Sequence, residues 1–137
     1  MLERLAAAGR VMSERENCRP TDWAAGRLAL IVVWGIPAAV MLLALLVEPA
    51  TRAAVWTAML VWMGYACFAN ARRCGRTHCR YTGPFFFGMA GVVVAHAAGI
   101  LPLGSQPWVI LTILTLGGNA LIWWASERLL GTYTRPD

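Results

Sequence analysis

Three of the chain's four cysteines and one of its two histidines fall in one short segment, Cys67-Phe-Ala-Asn-Ala-Arg-Arg-Cys74-Gly-Arg-Thr-His78-Cys79-Arg80. Thiolate is the form of cysteine that binds soft metals, and nearby positive charge favours it. Four arginines, at 72, 73, 76 and 80, surround Cys74 and Cys79. Gly75 permits a tight turn that would bring Cys74 and Cys79 together, with His78 as a further ligand. Cys18 could approach from the N-terminal segment and complete a three-cysteine, one-histidine metal site, with Cys67 as an exchange partner. The spacing departs from zinc patterns, which place about two to four residues between paired cysteines. The bland reading of the same residues is a basic juxtamembrane turn whose cysteines serve as small apolar side chains.

A second set lies deeper. Met59, Met63 and Cys67 recur at i, i+4 and i+8, which gives one sulfur-bearing helix face. His96 is an ionisable side chain inside a long charge-free stretch, and such residues usually face a bundle interior. Asn119 and Thr115 are its expected neighbours. A route from His96 past Met63 and Met59 to Cys67 and the segment beyond is geometrically open. Against it stand methionine as ordinary packing and a neutral histidine satisfied by Asn119 or Thr115. A haem between His78 and His96 is disfavoured, because the two should differ in depth by roughly 18 Å or more.

The elements that must position these residues follow from composition. Of 137 residues, 58% are apolar and 14% charged, and mean hydropathy is +0.55. Those values exclude a disordered chain and an ordinary soluble domain. Stretches 28–47, 53–71 and 81–126 contain no Asp, Glu, Lys or Arg. A helix needs about 20 mostly apolar residues to cross a bilayer. The third stretch breaks at LPLGSQP, 101–107, where Pro107 suits the first turn of a new helix. The expectation is an all-α integral membrane four-helix bundle of two hairpins, a single membrane domain over 1–137. Its spans fall at about 28–47, 53–71, 85–102 and 107–126, and Pro37 should kink the first. The remainder is a cytoplasmic or interfacial segment 1–22, a Cys/Arg/His loop 72–84 and a tail 127–137. Residues 1–17 have the spacing of a short interfacial helix, and Thr21 or Asp22 can cap the first span.

Every basic residue is arginine, and only Arg52 lies on the far side of the spans from the other eleven. The positive-inside rule then places both termini and the 72–84 loop in the cytoplasm, multi-pass and N-in/C-in. There thiols stay reduced, so a structural disulfide is not expected. The net charge of +5 reads as topology and attraction to anionic lipid, not as nucleic-acid binding. Trp23, Trp56, Trp108, Trp123 and Trp124 sit near span ends as interface anchors. Helix contacts should use a small-residue face of Gly88, Gly91, Ala95, Ala98 and Gly99 and a polar stripe of Thr112, Thr115 and Asn119.

The run Asn70-Ala-Arg-Arg-Cys74-Gly-Arg-Thr-His78-Cys79, followed by Thr82-Gly-Pro84, resembles a signature of small, uncharacterised bacterial multi-spanning membrane proteins. More loosely, the layout resembles small mercury-resistance inner-membrane transporters, although their cysteine pair sits in the first span and this first span has none. The resemblance implies a bacterial inner membrane and soft-metal handling. The expected function is binding of a mercury-, copper- or zinc-type ion by cytoplasmic-side cysteines, with transport or hand-over to a cytoplasmic acceptor. The alternative is a non-catalytic accessory subunit in a larger membrane complex or homo-oligomer. A thiol or quinone enzyme near His96 would need a second catalytic group that the sequence does not offer.

Overall fold

Proline, glycine and one carboxylate set the helix boundaries. The computed structural model describes residues 22–23 and 26–131. Residues 1–17, Cys18, Thr21 and the end of the tail lie outside that set. Within it the chain is helical: α1 is Arg27–Leu46, α2 Pro49–Cys74, α3 Thr77–Ala97 and α4 Pro107–Leu130. Helices α1, α2 and α4 are each long and apolar enough to cross a membrane. Pro49 and Pro107 open their helices, where a missing N–H costs nothing. The Glu48 carboxylate accepts the backbone N–H of Ala50 at 2.8 Å and Thr51 at 2.7 Å, capping α2.

The expected 72–84 loop is not formed. Helix α2 runs to Cys74, Gly75 takes φ 61° as its left-handed cap, and α3 begins at Thr77. Two residues, Gly75 and Arg76, make the whole connection. Glycine is needed there because other residues resist positive φ. The Thr82-Gly83-Pro84 run, read as loop, is helix, with Pro84 inside α3. Pro84 has no N–H to give to the carbonyl four residues back, which is that of the exposed Arg80. Helix α3 ends at Ala97 instead of 102, and Gly99 takes φ 73° just beyond it.

Pro37 acts on α1 as expected in kind. The five residues Ile31–Gly35 ahead of it form a π-helical turn, a widening that relieves the clash between a proline ring and the preceding turn.

Packing runs from helix to helix. Helices α2 and α3 meet at glycine: a Cβ on Gly64 would stand 3.2 Å from the Gly83 carbonyl, and one on Gly83 would stand 3.5 Å from Cys67 Cβ. Helix α4 docks where the Phe85 ring lies against Gly118, so closely that a Cβ would fall 2.5 Å from it. The expected small-residue face is elsewhere: Gly88 and Gly91 have nothing within 4 Å and face outward. Trp56 is a core residue, not an interface anchor. It is 1% exposed, its indole N–H donates to the Met41 carbonyl at 2.9 Å, and its ring meets Trp108 edge-on. That bond ties α1 to α2. The outer faces carry exposed Ile113, Leu116, Leu121 and Leu129 on α4 alone.

Candidate functional site

The close Gly64–Gly83 crossing brings Cys67 on α2 against the first turns of α3. The thiol that influences Cys79 is Cys67: the two share one core cluster and act on each other electrostatically, both wholly buried and both free thiols. Cys74 is instead taken up in a disulfide. It is therefore not available as the thiolate ligand expected from sequence, and the expectation of reduced thiols throughout is not met. Cys18 lies outside the described residues. Among the described residues no group of three or more His, Cys, Asp or Glu side chains converges as a metal cage, so the expected cage of Cys74, Cys79 and His78 is not assembled.

Donors surround the Cys79 sulfur. His78 Nε2 lies 3.3 Å from it and Asn70 Nδ2 3.5 Å. Cys67 Sγ lies 2.9 Å from Thr82 Oγ1. Thr82 donates its own proton to the His78 carbonyl at 3.0 Å, which orients its oxygen toward Cys67.

Each neighbour of Cys79 is held in turn. Asn70 is saturated: its amide N–H groups go to Cys79 and to Asp22 Oδ1 at 2.8 Å, and its oxygen accepts the Trp23 backbone N–H at 3.1 Å. His78 Nδ1 lies 2.7 Å from Glu127 Oε1, so this nitrogen carries a proton for the carboxylate. Arg76 Nε, 3.4 Å from the same nitrogen, is then a neighbour rather than a donor to it. The Trp123 ring stacks on His78 at 4.4 Å and 17°. Arg76 closes the cluster, pairing with Asp22 at 3.1 Å and Glu127 at 3.2 Å. Asp22, expected as a helix cap, is thus an internal counter-charge; Gly26 occupies the N-cap position of α1.

The electrostatics follow. His78 and Cys79 lie ahead of the charge-free stretch that begins at Tyr81. Cys79 is held down to about 5, chiefly by the hydrogen bond from Cys67, against the opposing effect of burial, with His78 and Asn70 adding to the lowering. For His78, burial works against the cation, but Cys79 and Glu127 outweigh it and raise the ring above its ordinary value. The arrangement is thiolate, imidazolium and carboxylate in a row, with a second thiol on the sulfur.

The deeper residues do not form a pathway to this site. His96 sits in the last turn of α3, partly exposed, with Nδ1 3.0 Å from the Leu101 carbonyl and its ring edge-on to Trp108. Eighteen residues of helix separate it from His78, or about 27 Å. Met63 is buried beside Cys67 and Met59 is partly buried, both in the apolar core. Thr115 is buried with its hydroxyl unpartnered among the described residues, and Asn119 is half-buried.

Compared with known protein families, curated proteins and solved structures, the chain matches none.

Asn70, Glu127, Asp22 and Trp123 are the site residues that the sequence reading missed as such. Asn70 carried a signal, since it is a neutral polar residue three positions from Cys67 on the same helix face. Glu127 carried only its charge at the end of the last apolar stretch.

Proposed function

We propose that the chain is a small multi-pass membrane protein that binds one soft metal ion between Cys67 and Cys79, as cargo to be moved or handed on. The observation that carries this is the buried pair of free thiols, with His78 and Asn70 nitrogens beside the Cys79 sulfur. Soft thiolate ligands favour ions such as copper(I), and mercury(II) shares that preference; both accept two sulfurs in a line. Zinc is a poorer fit, because it takes four ligands as a rule. Both sulfurs are wholly buried, so an ion reaches them through a local opening of the α2–α3 contact. On binding, Cys67 gives up its proton to solvent, since the His78 imidazolium already carries a proton on each ring nitrogen.

The four helices form a membrane bundle in this reading. The arginine bias places the end carrying Cys79, with both termini, on the cytoplasmic side of a bacterial inner membrane. The Cys74 disulfide is then the bond that the reducing cytoplasm would open.

Protection from alkylation tests the proposal. Protein in mild detergent is loaded with copper(I) or mercury(II), treated with a small maleimide on partial unfolding, and mapped by peptide mass. Cys67 and Cys79 should be shielded together. Equal labelling with and without metal would remove the proposal.

A second reading, an accessory subunit or homo-oligomer, is favoured by the open Gly88–Gly91 face of α3, which suits close approach of another helix. It predicts a co-purifying partner and indifference to C67S and C79S.

A further inference from the structure

Arg72, Arg76 and Arg80 line an open cavity of about 300 Å³ whose floor is Phe68 and Ala71. The three arginines differ in what they face. Arg76 turns inward and pairs with Asp22 and Glu127. Arg72 and Arg80 are exposed, and neither makes an ion pair among the described residues. The Arg72 guanidinium lies over the Phe68 ring, 4.7 Å from its centre. That contact fixes the plane of the cation and leaves its edge N–H groups to point away from the ring.

Below this charged rim the helix is apolar. Tyr65, Phe68 and Arg72 stand at i, i+3 and i+7 on α2, which is one stripe. Tyr65 is 69% and Phe68 40% exposed. Seven residues of helix put Tyr65 about 10 Å deeper than Arg72. The surface therefore changes from two exposed arginines with no ion pair among the described residues to exposed aromatic side chains over the depth of a lipid headgroup region.

We propose that this groove binds an anionic glycerophospholipid, its phosphate held between Arg72 and Arg80 and its glycerol and upper acyl chain laid along Phe68 and Tyr65. Guanidinium matches phosphate through paired N–H donors. The aromatic stripe is what selects a lipid over free phosphate, which would gain nothing from it. This assignment rests on the chain being membrane-spanning and is independent of the thiol pair.

The test is lipid retention by native mass spectrometry of full-length protein in mild detergent. It is offered phosphatidylglycerol or phosphatidylcholine, with inorganic phosphate and glycerol phosphate as competitors. The wild type should retain phosphatidylglycerol in preference to phosphatidylcholine. The double variant R72Q/R80Q should lose that preference by about tenfold or more, the effect of one charge-assisted hydrogen bond. R128Q, whose arginine lies over Trp124 outside the groove, should keep it. Equal retention of the two lipids, an unchanged R72Q/R80Q, an equal loss in R128Q, or displacement by inorganic phosphate at matching concentration would each overturn the proposal. R72Q/R80Q should bind soft metal as the wild type does, so failure here is distinguishable from failure of the thiol reading.

Discussion

Glu127 Oε1 lies 2.7 Å from His78 Nδ1, joining the last turn of α4 to the first turn of α3. The other nitrogen of the same ring reaches the Cys79 sulfur. The state of the buried Cys79 thiol at the start of α3 therefore depends on a carboxylate at the end of α4.

Replacing Glu127 by Gln keeps the shape and removes the charge. The His78 ring then loses the carboxylate that supports its cation, and Cys79 loses part of the positive charge beside it. The thiolate ultraviolet absorbance of E127Q near neutral pH should fall below that of the wild type. Equal absorbance would show that Asn70 and Cys67 suffice.

The pH dependence has a definite sign. A depressed folded pKa contributes stability that is full above the ordinary thiol range and is lost as pH falls through the folded value. For Cys79 that loss falls near about 5. Removing Cys67, the largest lowering influence, should move the thiolate titration of C67S upward. A midpoint unchanged from the wild type would show that the two sulfurs do not interact.

Arg76 is the link between Asp22, which is wholly buried, and Glu127. Truncating one partner of a buried pair leaves an uncompensated charge and costs about 3 kcal/mol. R76A should unfold at lower denaturant in mixed micelles by an amount of that order. R80A, which touches neither carboxylate, should stay within about 0.5 kcal/mol of the wild type.

The sulfur pair depends on the glycine crossing. A side chain at Gly83 would meet Cys67 Cβ and the Gly64 carbonyl, so G83V should push α2 and α3 apart. Mild oxidation should couple Cys67 to Cys79 in the wild type and not in G83V, as read by peptide mass. Coupling in both would place the approach elsewhere.

Much of this was legible in the sequence, for reasons that particular residues show. Pro49 and Pro107 mark helix starts because their missing N–H groups are harmless there, and the apolar stretches give helices by length alone. Gly75 was readable as a turn. What misled was Pro84: taken with Gly83 as loop chemistry, it hid the first two turns of α3 and so misplaced His96. The Gly83 signal was a close approach rather than a turn, and a lone sequence does not separate the two. Cys67 is read from sequence only as an exchange partner, because Cys79 is paired with Cys74 by proximity in sequence instead of with Cys67 across the helix crossing. Asp22 and Glu127 reach the site only through tertiary packing, which no local pattern encodes.

The central claim is that Cys67 and Cys79 together hold one soft ion. The direct measurement is metal stoichiometry after loading reduced, detergent-solubilised protein with copper(I) or mercury(II) and removing excess with a weak competing thiol. The wild type and C74S should each retain one ion per chain, and C67S and C79S should retain none. Retention in C67S and C79S, with loss in C74S, would contradict the account and return the site to the turn between α2 and α3.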